Sequence, residues 1–348
     1  MDRRAWRRAF LLAPVLLSAL SVSAAQHDRL ERFRTLAAAR LTLVGTDDGE
    51  RAQEALREIY AILDEEIVES LQSGSVFTSL PFLQDRLDGF ADAWGGASFR
   101  LRRFGRMTVG TFQLVEGGPG NSVRVYAEAH GEAQLQHAFV RDGQPALYPL
   151  GAGGLTPALI VAWEGWPANA GVRLLRLELL RPRADDVTVV WDTAPLYPEG
   201  LFARDWGIRG NELRIRYELR YPGWSPGCES QTEQEDLYRL ASDGATLTRV
   251  ARRQYNAWHQ ALHRSVSVLF AALAAGDRAS LATLVPDAGL RRRLPATLAA
   301  EPVCDAPDAA ADPGAVSVAA VESERRPWAL TWRRAGTRWH LVSATPVL

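Results

Sequence analysis

Lysine is missing from this chain. All 40 basic side chains are arginine, set against 41 acidic ones in 348 residues. No Schiff-base lysine exists, so pyridoxal-phosphate catalysis through a protein lysine is excluded. The GxxxxGK[ST] phosphate loop, the kinase strand lysine and the SxxK acyl-transfer motif fall with it. A GC-rich coding sequence explains the bias by itself, because CGN arginine codons are GC-rich and lysine codons are AA-rich. Cysteine is scarce: Cys228 and Cys304 are the only two, with no CxxC spacing for zinc. An excess of positive charge is also lacking, the formal net charge being −1. What is present is a 47% hydrophobic, 23% charged composition. It excludes dominant disorder and collagen-like or disulfide-dense classes, and the length suits two or three domains.

The N-terminus reads as a targeting segment. Arg3, Arg4, Arg7 and Arg8 precede an apolar run from Ala9 to Val22, followed by Ser21-Val22-Ser23-Ala24-Ala25. This is the pattern of a cleaved secretory signal over residues 1–25, with Ser23 and Ala25 at the −3 and −1 positions. The run falls short of the roughly 20 residues a membrane span needs, so no integral span is expected after cleavage. Arg7-Arg8-Ala9-Phe10-Leu11 resembles the twin-arginine export core. Cleavage removes four arginines and Asp2, leaving the remainder more acidic, which argues against a nucleic-acid partner. In an exported chain, Cys228 and Cys304 read as one disulfide.

Three regions follow. Residues 26–96 carry apolar residues at helical spacing, as in Leu56, Ile59, Leu63 and Ile67, then Leu83, Leu87, Phe90 and Trp94. Asp64-Glu65-Glu66 is expected on the solvated side of its helix. Residues 97–255 switch to short alternating runs broken by Gly, Pro and Asp, including a hairpin of Ser122–His130 with Ala133–Arg141. Further strands are expected at Leu213–Tyr221, Glu229–Leu240 and Thr246–Tyr255. Residues 256–348 return to helix, with Trp258, Leu262, Val266, Leu269 and Leu273 on one face, and end in strands. Between them, Glu301–Gly314 reads as a mobile loop rich in Ala, Pro and Asp. The class is α+β: N-terminal helices, a central antiparallel β-sheet forming a sandwich or curved half-barrel, and a small C-terminal α+β cone-like domain.

The C-terminal stretch carries a resemblance. Val268-Leu-Phe-Ala-Ala-Leu-Ala-Ala-Gly-Asp277 with Leu281 and Leu284, then Trp328-Ala-Leu-Thr-Trp332 and Gly336-Thr-Arg-Trp339-His-Leu341, is similar to the nuclear-transport-factor-two-like (polyketide-cyclase-like) superfamily. The resemblance covers about 90 residues, roughly a quarter of the chain. It implies a cone of helices against a curved sheet, enclosing a pocket. Such a pocket serves some members as an isomerase or cyclase site and others as a ligand or partner site. The chain departs from the pattern where the Ala/Pro/Asp loop stands in for the middle strands.

Candidate chemistry is sparse. Gly223-Trp224-Ser225-Pro226-Gly227 matches GxSxG, but Pro226 has no N–H for an oxyanion hole, so the motif reads as a proline-glycine turn. His259 and His263 stand at i and i+4, a spacing able to hold one metal ion. Residue 260 is Gln, so this is not the HExxH pair, and both histidines are read as packing against the apolar helix face. No metal and no cofactor are expected. Trp163, Trp166, Trp191, Trp206 and Trp224, with Tyr197 and Arg204, lie in or beside Gly/Pro-rich connections. Aromatic faces beside planar hydrogen-bonding groups suit a small ligand, a glycan or a peptide, though inward packing is the competing reading. Together these features point to an exported, non-catalytic protein that binds a ligand or an envelope protein. The rivals are an enzyme using a carboxylate or His in the C-terminal pocket, and a structural scaffold module.

Overall fold

The structure, a computed structural model, describes residues 28–39, 49–129, 131–150, 158–168, 171–182, 187–244, 246–322 and 326–347. The targeting segment 1–25 and His130 lie outside the described residues. The fold is α+β, and the chain groups into two compact units. The first comprises 1–166, 174–198 and 241–246; the second comprises 167–173, 199–240 and 247–348.

In the first unit, helix α1 spans 28–39, α2 Gly49–Ser73 and α3 Leu80–Trp94. Pro81 opens α3 where its missing N–H costs nothing, and Gly95 closes it in the left-handed region. A four-stranded antiparallel meander follows: β1 Ser98–Phe104, β2 Met107–Gln113, β3 Asn121–Ala129 and β4 Glu132–Arg141. One face of this sheet offers Phe99, Phe112 and Tyr126 to Phe33, Ile59, Leu63 and Phe90 of the helices. The other offers Val109, Val123, Val125 and Phe139 to the strands β5 Gln144–Leu150, β6 Ala158–Pro167, β7 Arg173–Pro182 and β8 Val187–Asp192. Because both faces are covered, β3 is buried at six successive positions instead of alternating.

The acidic run of α2 departs from the sequence expectation. Glu65 is exposed, but Glu66 is fully buried, with Arg29 3.0 Å and Arg86 2.9 Å away. Asp64 is bound by Arg124 from β3 and accepts the Tyr126 hydroxyl at 2.7 Å. Helical periodicity places these carboxylates, but only the distant arginines make burying them tolerable.

In the second unit, β9 Leu201–Arg209, β10 Glu212–Glu218, β11 Glu233–Leu240 and β12 Leu247–Tyr255 form an antiparallel meander. The strands around residue 225 are shorter than expected, stopping at Glu218 and resuming at Glu233. Two proline-glycine turns occupy the gap, and Gln231 uses its side chain to satisfy the Ser225 backbone instead of a neighbouring strand. Asn256, in the left-handed region, turns the chain into α4 Ala257–Ala275. Gly276 ends α4, Asp277 caps α5 Arg278–Leu284 and Asp287 caps α6 Ala288–Arg293. Strands β15 Ala315–Glu322, β16 Arg326–Ala335 and β17 Arg338–Pro346 carry Val316, Val318, Leu330, Trp332, Trp339 and Leu341 against Leu262, Val266, Leu269 and Leu273 of α4.

The stretch 301–314 is more ordered than its composition implies. It holds the short strand β14 Ala306–Pro307, which pairs with β15, while the two-residue β13 Ala299–Ala300 just before it pairs with the same strand. Asp308 accepts the Gly314 and Ala315 N–H groups at 2.9 and 3.0 Å.

Candidate functional site

The feature of the second unit that carries chemistry begins on α4. Every fourth residue of this helix returns to the same face, so His259 and His263 stand one turn apart among Trp258, Leu262 and Val266. Their rings stack with centroids 4.5 Å apart and an interplanar angle of 28°. Asp305, just before β14, reaches both. Its Oδ2 lies 2.6 Å from His263 Nε2 and 3.2 Å from His259 Nε2. The three side chains are only 4%, 8% and 5% exposed for His259, His263 and Asp305.

Two neighbouring segments hold this trio. Tyr221, just past β10, places its hydroxyl 2.6 Å from His259 Nδ1, and that oxygen accepts the Thr232 N–H at 3.1 Å. The Thr232 hydroxyl in turn accepts the Gln260 N–H at 3.0 Å and donates to the Asn256 carbonyl at 2.7 Å. Thr232 thereby caps the first turn of α4 from a remote segment, where Asn256 makes no side-chain cap of its own. The turn at Gly223 runs against the His263 ring so closely that a Cβ at 223 would overlap it. Glycine is also required there by its φ of +93°.

The expected disulfide is formed: Cys228 and Cys304 are bonded, with Cα atoms 5.3 Å apart. It ties the turn after Gly223 to the residue preceding Asp305. The carboxylate is thus anchored on one side by a covalent bond and on the other by the β14–β15 pairing.

The electrostatics follow from this burial. Burial pushes the Asp305 carboxyl up, but hydrogen bonds from His259 and His263, and the imidazole charges, outweigh it and hold the carboxyl below its usual range. Burial raises the Tyr221 phenol, against the Thr232 hydrogen bond. With Nε2–H tautomers, both imidazoles donate to Asp305, Tyr221 donates to His259 Nδ1, and each of these atoms is satisfied. With Nδ1–H tautomers, both Nε2 lone pairs and the carboxylate converge on one point. The ligand atoms of the three residues lie within 4.8 Å of one another, a set able to hold a metal ion.

The aromatic candidates are strand residues more than loop residues, and they divide between the two units. Trp163 and Trp166 lie on β6, Trp191 on β8 and Tyr197 just after β8. Trp163 is core: it is 1% exposed, and its Nε1 donates to Glu178 at 3.0 Å. Trp166 is exposed. In the second unit Trp206 lies on β9 and Trp224 in the turn. Arg204, on β9, pairs with Glu233 at 2.5 Å. β6 is a continuous buried run and β9 is interrupted by glycine, so neither shows a clean alternation beside its flanking glycines and prolines.

Gly223–Gly227 forms turns, with Trp224 N–H donating to Tyr221 O and Cys228 N–H to Ser225 O. It is not a strand-to-helix elbow. His259 and His263 are buried on the apolar helix face, and the partner that satisfies both of them is the Asp305 carboxylate. Asp305 carried no periodic signal, lying 42 residues beyond His263 in a Pro/Ala/Asp stretch. Compared with protein-family models, curated proteins and solved structures, the chain matches none.

Proposed function

We propose that this is an exported, non-catalytic binding protein of a bacterial envelope, acting in the periplasm or outside the cell after cleavage near Ala25. Its binding element is the second unit. The observation that carries this reading is the disulfide beside a buried polar trio. Cys304 is covalently fixed and its neighbour Asp305 is held at 2.6 Å from His263. A disulfide is stable in an oxidising compartment, which supports export. Among the described residues, no helix is long and apolar enough to cross a membrane. The likeness of residues 268–341 to the nuclear-transport-factor-two-like superfamily belongs to the same reading, since some members use that region to hold a ligand or partner.

The enzyme alternative has one observation in its favour: imidazoles and a carboxylate in hydrogen-bond contact are the parts of an acid–base pair. Against it, Trp332, Trp339 and Leu341 fill the space beneath α4 that an apolar substrate would need. Native mass spectrometry of the mature chain, purified gently from its own envelope, tests the binding reading. The expected result is a reproducible added mass that is lost in Asp305→Ala. A bare chain mass, with neither adduct nor partner, would overturn it, and a heavier protein complex alone would move the weight to the scaffold module.

A further inference from the structure

We infer that His259, His263 and Asp305 bind one divalent transition-metal ion of the zinc type, making a metal ion the ligand of the binding protein proposed above; the inference rests on that reading.

Donor chemistry selects the ion. Two imidazole nitrogens and one carboxylate oxygen suit zinc, cobalt, nickel or copper, whereas calcium and magnesium call for oxygen-only cages. The three donor atoms also lie within 4.8 Å of one another, close enough to share one ion. Ligands about 2.0–2.2 Å from a tetrahedral ion stand roughly 3.3–3.5 Å apart. Asp305 Oδ2 is already 3.2 Å from His259 Nε2, and the 2.6 Å to His263 Nε2 needs only a small parting of the side chains. Three protein donors leave one position for water or a guest molecule.

The surroundings complete the site. Ligating histidines ordinarily give their other ring N–H to an acceptor, which fixes the tautomer and aims the lone pair. Tyr221 Oη is that acceptor for His259 Nδ1, at 2.6 Å. Binding requires each neutral imidazole to carry its single proton on Nδ1; tautomer exchange moves that proton off Nε2, and the ion then meets two Nε2 lone pairs and the Asp305 carboxylate with no net loss of protons from the two rings. His259 and His263 are prearranged by α4, and Asp305 by the disulfide and β14, so little ordering entropy is lost on binding. The whole donor set is nearly buried, and the low local dielectric strengthens each contact to the ion.

The test uses the full mature chain with its disulfide intact, stripped with a chelator and titrated with Zn²⁺ and Co²⁺. The expected result is one Zn²⁺ per chain by native mass spectrometry and calorimetry. Co²⁺ should give visible absorption bands of a four- or five-coordinate site with nitrogen donors. Asp305→Asn and His263→Gln should weaken Zn²⁺ binding by about 100-fold or more, and Tyr221→Phe by roughly 10-fold, as loss of an outer hydrogen bond does. No uptake by the wild-type chain up to about 100 micromolar Zn²⁺, or unchanged binding in Asp305→Asn, overturns the inference. If the variants fail to fold, the wild-type Co²⁺ spectrum decides, and its absence overturns the site. An organic adduct or protein partner without Zn²⁺ uptake sinks the metal alone; a bare chain and no Zn²⁺ uptake sinks both readings.

Discussion

The two units each bury a carboxylate, and they neutralise it in different ways. In the first unit Asp64 meets the guanidinium of Arg124, whose side chain is 8% exposed, and the Tyr126 hydroxyl. Arg124 also lies 4.9 Å over the Tyr60 ring, and the Tyr60 hydroxyl donates to the Gly120 carbonyl at 2.6 Å. A permanent cation closes that cluster, since guanidinium does not lose its proton in proteins. In the second unit Asp305 faces two imidazoles, a type of side chain that exchanges protons and binds metals readily. Geometry of similar quality therefore has different chemical consequences. The Asp64 cluster is an internal clasp between α2 and β3, while the Asp305 cluster is a donor set.

The largest expected effect comes from the bond that has no counterpart in the first unit. Replacing Cys228 and Cys304 by Ser opens a loop of sequence separation 76. On the chain-entropy view this costs about 4–5 kcal/mol. Denaturant unfolding of oxidised and Ser-substituted chains checks it, and a change under about 1 kcal/mol would mean that the bond adds little to the stability of the second unit.

Asp64→Ala comes next. It strands a buried guanidinium, so a loss of about 3–5 kcal/mol is expected. Hydrogen exchange resolved along the chain should show faster exchange in α2 and β3, with 257–275 unchanged. Equal loosening of both regions would erase the contrast between the two clusters.

Gly223→Ala probes the donor set from outside. The positive φ and the overlap with the His263 ring predict a loss of about 1–3 kcal/mol and a displaced His263. Imidazole NMR shifts of His263 would reveal the displacement, and unshifted resonances would show that the turn yields instead of the ring.

The smallest effect sharpens the comparison within the second unit. Asp236 on β11 is fully buried and bound by Arg252 at 2.8 and 2.9 Å, with Arg249 at 3.5 Å. Burial pushes its carboxyl up, but the Arg252 hydrogen bond and charge, with help from Tyr217 and Arg249, leave it below the usual range. A folded value below the unfolded one stabilises above the ordinary carboxylate range, and the gain is lost as pH falls through the folded value. Acid titration of stability below about pH 4 should therefore be flatter in Asp236→Asn than in the wild type. Near neutrality the substitution should cost only about 1 kcal/mol, because Arg252 and Arg249 are nearly half exposed and turn to water. A steeper acid slope in the variant would reverse the assigned sign.

Much of the architecture is local and was legible. Apolar residues at helical spacing marked α2, α3 and α4, and glycine and aspartate marked their ends. The hairpin of β3 and β4 and the terminal strands followed from alternation. Strands β6 and β9 were missed because buried or Gly-interrupted strands lose their alternation. The buried state of Glu66 was missed because its arginine partners lie 37 and 20 residues away.

Sequence alone determined the class, α+β, the helical pitch that sets His259 above His263, and the presence of two cysteines available to bond. Those features depend on neighbours a few residues apart, which composition and periodicity report directly. Only the tertiary structure decided that the disulfide closes, that Asp305 returns to the histidines, and that Tyr221 and Thr232 orient His259. Each of those contacts joins segments separated by ten residues or more, and a chain of aperiodic loop residues carries no local signal of which distant side chain it will meet.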